Sequence, residues 1–110
     1  MPTTLDPKFP GAEKHETPLA DAKRFIQSHR KNPQVPNING GSFHRGIFDK
    51  ILAQEGCEGI RFYFATTDDG TSTLVGVGIT AAGTDMTDGT IAESTHPCPP
   101  FCDATSDLNK

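Results

Sequence analysis

An α+β fold, with two helices packed on a small antiparallel sheet, is what this sequence predicts. Three observations carry it. Two stretches space their apolar residues at helical intervals, one stretch alternates apolar and polar residues strictly, and turn-forming residues separate all of them. Flanking this folded part, an extended N-terminal arm and a Pro/Cys-rich C-terminal tail complete the chain. The expected organisation is an arm over residues 1–16, an α+β domain over 17–95 and a tail over 96–110.

Prolines at 2, 7 and 10, a glycine at 11 and the lack of any hydrophobic period mark residues 1–16 as the arm. In TPLADAKRFIQSHRKNP, Thr17 reads as an N-cap and Pro18 as the first helical residue, where its missing N–H costs nothing. Leu19, Ala22, Phe25 or Ile26, and His29 share one face, and Asn32-Pro33 stops the helix, which is expected over 18–31. PQVPNINGGS follows as a breaker-rich connection with a short edge strand expected around Val35–Ile38. In FHRGIFDKILAQEG, Ile47, Phe48, Ile51 and Leu52 form a buried helical stripe, and Gly56 sits where a left-handed terminator belongs.

IRFYFAT then alternates, with Ile60, Phe62 and Phe64 on one side and Arg61, Tyr63 and Ala65 on the other. Asp69-Gly70 supplies a turn, and TLVGVGIT returns as a second strand. The expected hairpin presents a Val/Ile/Phe face to the second helix. A lone hairpin is marginal, so a third strand is required, and Thr90–Glu93 is its expected position.

Composition limits the functional classes. Only 34% of residues are hydrophobic, so several segments are expected to be peripheral. No apolar run approaches the ~18 residues of a membrane span. The N-terminus has neither a basic start nor an apolar stretch, so no signal peptide is read there, and a cytoplasmic location with reduced thiols is expected. The net charge of −4 argues against a nucleic-acid partner. That charge is uneven, at +3 over residues 1–50 and −7 over 51–110. Lys23, Arg24, Arg30 and Lys31 cluster on the first helix, as a solvated face or as a docking face for an acidic partner or the chain's own acidic half.

Several motifs reduce to local chemistry. Gly76-Val77-Gly78 with Ala81 imitates a phosphate-binding fingerprint, but its glycines lie inside a β-branched strand, where they read as a bare patch for close approach. Asp68-Asp69-Gly70 and Asp85-x-x-Asp88-Gly89 lack the ligand spacing of a calcium loop and read as turns. Hydrolase, zinc-protease and P-loop signatures are absent, which points away from an enzyme.

The cysteines carry the chemical interest. Cys98 and Cys102 lie inside HPCPPFC, and Cys57 follows the helix-ending Gly56. If the tail folds back over that helix end, Cys57, Cys98 and Cys102 with His96 (or His44) form a tetrahedral set of the kind zinc takes. A disulfide or redox pair is the second possibility. A straight polyproline path would hold Cys98 and Cys102 ~12 Å apart, whereas a disulfide wants less than about 7 Å. A working pair therefore requires a tight turn, with a cis X-Pro bond as the means. The third possibility leaves Cys57 as a small core residue and HPCPPFC as a rigid tail whose Phe101 docks on the core or on a partner.

FDKILAQEGCEGIRFYFATTDDGTSTLVGVGITAAGTDM together with PCPPFC resembles a group of small uncharacterised bacterial proteins. They share a Gly-Cys step, a β-hairpin ending in a V-G-V-like strand and a C-P-P-x-C tail. The resemblance covers about residues 43–102 and implies no activity. It does imply that Cys57, Cys98 and Cys102 belong to one recurring layout. The leading functional expectation is a non-enzymatic accessory or interaction protein that uses its extended termini for partner or self contacts. The alternative is a metal-binding or thiol-redox module centred on Cys57, Cys98 and Cys102. A third possibility makes the terminal segment a substrate for modification.

Overall fold

Among the described residues seven helices and strands follow one another, and a 3-10 turn at Asp107–Asn109 comes after them. Helix α1 spans Leu19–Lys31 and α2 spans Arg45–Leu52. The strands are β1 (Gly40–Ser42), β2 (Cys57–Thr66), β3 (Ser72–Thr80), β4 (Ile91–Glu93) and β5 (His96–Cys98). The computed structural model describes residues 12, 15–33, 38–94 and 96–109. Most of the expected arm, and the strand expected at Val35–Ile38 apart from Ile38, lie outside these residues.

The α+β class holds, but the described residues form two antiparallel sheets. One has three strands in the order β2-β3-β4, and the other is the ribbon β1-β5. The third strand forms at the expected place, with Val75 opposite Glu93, Gly76 opposite Ala92 and Val77 opposite Ile91. Pro18 sits at the N-cap position of α1, in extended backbone and without a side-chain cap, one residue earlier in the helix frame than expected. His44 caps α2, its Nδ1 accepting from the Gly46 N–H at 2.9 Å. After α2 the chain reverses through Gly56, whose φ of +85° is the left-handed conformation expected of a terminator.

Register decides which face α2 covers. The hairpin loop 67–71 is closed by the Thr67 N–H on the Thr71 carbonyl (2.8 Å) and the Gly70 N–H on the Thr67 carbonyl (2.9 Å), with Gly70 at φ +89°. This closure sets Thr66 opposite Ser72, and so Phe62 opposite Gly76 and Ile60 opposite Gly78, while Arg61 faces Val77 and Tyr63 faces Val75. Directly opposed residues share a face, so the Phe/Ile side of β2 and the Val/Ile side of β3 are opposite faces of the sheet. The single Val/Ile/Phe face expected from the sequence does not exist.

Helix α2 packs on the glycine side. A Cβ at Gly78 would stand 3.2 Å from Ile51, 3.0 Å from the Cys57 sulfur and 2.9 Å from Gln54, so the bare strand positions admit the helix. Ile51 is fully buried there. Phe43, Phe48 and Phe62 complete the contact as a triangle of rings with centroids 5.5, 5.7 and 6.1 Å apart. On the other face Val77 and Ile79 are buried beside Ile91 and Asp85, their partners in β4 and in the 81–90 loop. Gln54 straps the C-terminal end of α2 to that loop: its Nε2 donates to the Ile51 carbonyl (2.9 Å) and its Oε1 accepts the Thr90 N–H (3.0 Å).

Helix α1 contributes less. None of its residues is fully buried; Ala22, Ile26 and His29 are half-buried, and Phe25 is exposed, which selects Ile26 for the inner face. Its C-terminal end meets the 3-10 turn, where Arg30 donates to Asn109 Oδ1. No described helix is long and apolar enough to cross a membrane.

Candidate functional site

The C-terminal tail is a strand followed by a covalently closed loop. Strand β5 is positioned by β1: Ser42 pairs with His96, Gly41 with Pro97 and Gly40 with Cys98. The Asn39 N–H adds a bond to the Cys98 carbonyl at 2.6 Å. Ser94 anchors the entry to this ribbon, its hydroxyl donating to the Ser42 carbonyl at 3.1 Å. That hydroxyl lies 2.6 Å from where a Cβ at Gly41 would stand, so the bare Gly41 position permits the close approach.

Beyond Cys98 the chain turns through two cis bonds, Cys98-Pro99 and Pro99-Pro100, and the Phe101 N–H returns to the Pro97 carbonyl at 2.9 Å. Cys98 and Cys102 are joined as a disulfide with their Cα atoms 4.8 Å apart. This is the tight turn that a working pair requires, in place of the straight path. The expected reduced state of these two thiols is not the one seen. The ring of Phe101 lies 4.6 Å from that of His96, centroid to centroid, and the residue is 58% exposed.

Past the loop the tail is tied down by polar bonds. Asp103 Oδ1 accepts from the Thr105 N–H (3.0 Å) and hydroxyl (2.7 Å), and the Asn109 amide donates to the Asp103 carbonyl at 2.6 Å. Hydrogen bonds from Thr105 hold the Asp103 carboxyl below its ordinary range.

Cys57 lies elsewhere. It stands opposite Thr80, whereas Ser94, which leads into the tail, bonds through its N–H to the Leu74 carbonyl. Six residues of β3, or roughly 20 Å of strand, separate those two levels. The Cys57 thiol is free and half-buried, donating to the Gly59 carbonyl at 3.3 Å beside Gly78. The fold therefore brings Cys98 and Cys102 together, with His96 one ring contact away, and sets Cys57 at the far end of the sheet. His44 caps α2 through its Nδ1. Among the described residues no three His, Cys, Asp or Glu side chains converge to share a metal ion.

Two features escaped the sequence. One is an apolar cleft of about 490 Å³ between the ribbon and the hairpin, walled by His29, Ile38, Phe64, Leu74, Ser94 and Pro97. No local pattern marks it, because its walls come from five separate segments. The other is a polar junction on the sheet face away from α2. Arg61 Nη1 donates to Asp85 Oδ1 at 2.5 Å and to the Gly83 carbonyl at 3.1 Å, and the Tyr63 hydroxyl donates to Asp85 Oδ2. Partial desolvation works against the Arg61 charge, but the bonds and charge of Asp85, joined by Tyr63, raise its pKa on balance. The alternation in IRFYFAT placed Arg61 and Tyr63 on one face; their acidic partner lies 24 and 22 residues on, respectively, and left no such mark.

Fold and site together define a small α+β domain that carries a disulfide-closed C-terminal loop. Comparison with protein-family models, with curated proteins and with solved structures finds no match for this chain.

Proposed function

We propose that the protein is a non-enzymatic interaction module that offers its closed C-terminal loop, with Phe101 at the tip, to a partner protein. The observation that supports this is the state of Phe101. The residue is 58% exposed, yet its backbone N–H is bonded to the Pro97 carbonyl, its ring lies against that of His96 at a tilt of 37°, and the next residue is locked into a disulfide. An aromatic side chain held ready in this way loses little conformational freedom on binding, which is the property of an interface anchor.

The disulfide adds a thiol-redox aspect to the same site. In the cytoplasmic setting that we carry over from the sequence, disulfides are transient and redox-linked. A dithiol reductant would supply two electrons and two protons, converting the Cys98–Cys102 bond to two thiols and becoming a disulfide itself. The loop would then lose its closure, and partner contact would follow the redox poise.

A photoreactive amino acid at position 101, compared with one at the exposed Ser28 on α1, tests this in cells. A single adduct specific to position 101, weakened when Cys98→Ser opens the loop, is the expected result. Equal labelling at both positions, or an adduct indifferent to Cys98→Ser, would overturn the proposal.

A further inference from the structure

Among the described residues, the outer edge of β2 is the longest strand edge that no other strand covers. In the β2-β3-β4 sheet β2 is bonded on one side only, and no described strand lies on its other side. Its backbone N–H and C=O groups on that side are a template for a further strand. Natural edges are blunted by bulges, prolines and charges. Here the register irregularity sits at the beginning of the strand, between Cys57 and Gly59. Ile60–Thr66 has no proline, and its one charge, Arg61, is already paired with Asp85. Phe62, Tyr63 and Phe64 lie along this unguarded stretch with 45, 46 and 78% of their surfaces exposed.

We infer that a second copy of this chain pairs with β2, antiparallel about a two-fold axis at Tyr63, to give a continuous six-stranded sheet. This goes beyond the tail-based function and does not depend on it. Four observations select a second copy as the occupant. First, an axis at Tyr63 uses all seven residues of Ile60–Thr66, placing Ile60 against Thr66, Arg61 against Ala65 and Phe62 against Phe64. Second, no like charges face one another in that register. Third, Phe64, the most exposed large apolar residue, would be set beside the partner subunit's Phe62, which already packs with Phe43 and Phe48 within each chain. Fourth, the area is of the right order. Taking ~150–250 Å² for a whole aromatic side chain, the exposed parts of the three residues amount to about 250–420 Å² per copy. That is about half of the roughly 600 Å² per partner that a small stable interface needs. Backbone edges and flanking residues supply the remainder.

Sedimentation equilibrium of the full chain tests the assembly. A mass of twice 11.8 kDa is expected at micromolar concentration, falling to a single chain in Phe64→Lys, an edge lysine at an exposed position. Far-UV circular dichroism should show Phe64→Lys folded. Should it not fold, hydrogen exchange of the wild type decides: amides of residues 60–66 should gain protection as concentration rises. A wild-type chain that stays monomeric at high micromolar concentration would overturn the inference. So would a dimer indifferent to Phe64→Lys, or protection of residues 60–66 that does not vary with concentration. A dimer lost in Phe101→Ala but kept in Phe64→Lys would also overturn it, and would assign self-contact to the tail instead.

Discussion

Arg61 and Asp85 form a half-buried ion pair, Nη1 to Oδ1 at 2.5 Å, that ties the middle of β2 to the loop between β3 and β4. The Tyr63 hydroxyl donates to the other oxygen of the same carboxylate, so one side chain serves two strand residues. Asp85→Ala removes both bonds at once. Because the pair is partly exposed, the expected loss of stability is about 1 kcal/mol. Urea unfolding of Asp85→Ala, Tyr63→Phe and the double variant checks this. Tyr63→Phe should add almost nothing once Asp85 is gone.

Ile51 is the fully buried side chain on which α2 seats against the sheet, whereas its neighbour Leu52 is half exposed. Ile51→Ala should lower the unfolding free energy by about 2–5 kcal/mol, and Leu52→Ala by less than about 1. Equal effects of the two would mean that α2 is rotated from the orientation described above.

Glycine positions separate in the same way. A Cβ at Gly78 meets Gln54, Cys57 and Ile51 at 2.9–3.2 Å, whereas one at Gly40 meets nothing within 4 Å. Gly78→Ala is expected to destabilise by about 1–3 kcal/mol through overpacking, and Gly40→Ala to stay within about 0.5 kcal/mol of wild type. Thermal melts of the two variants suffice.

Two exposed carboxylates should titrate low. Hydrogen bonds from Thr67 and then Thr71 lower Asp69, and those from Thr105 lower Asp103. A folded-state pKa below the unfolded ~3.9 contributes stability that is complete above that value and is lost as pH falls through the folded one. Carbon-13 NMR of the side-chain carboxyls should give midpoints below ~3.9 for both, with Thr105→Ala returning Asp103 toward the ordinary value. Midpoints at or above ~3.9 would remove the proposed role of these hydrogen bonds in the hairpin turn and the tail.

The Cys98–Cys102 disulfide closes a short loop, since only four positions separate the two residues. Chain-entropy arguments give roughly 2 kcal/mol for a closure of this size. Cys98→Ser with Cys102→Ser should therefore lower the melting temperature by roughly 5–10 °C in non-reducing buffer. In reducing buffer the variant and wild type should converge.

How much of this was legible depended on the range of each signal. Helix α2, the hairpin, the turns at Gly56 and Gly70 and the third strand near Ile91 were all marked by local periodicity or turn chemistry. The face that α2 covers was not legible. It turns on the parity of the hairpin loop, and a shift of one residue would have exchanged Phe62 for Tyr63 beneath the helix. At the site, HPCPPFC announced that the tail mattered and that a pair would need a tight turn. Which cysteines meet depended on β5 pairing with the Gly40–Ser42 strand, and three residues with two glycines carry almost no strand signal. Cys57 gave no indication of its distance, because adjacency to a helix end says nothing about which end of the sheet the tail will reach.

The bond between Arg30 and Asn109 couples α1 to the 3-10 turn at Asp107–Asn109. That helix, with no fully buried residue of its own, is fastened by a turn far along the sequence. What looks in linear order like a dispensable overhang is thus a latch. Cropping it at residue 102, or fusing a tag directly onto it, would disturb the protein some eighty positions upstream, where a designer reading only the sequence would never look.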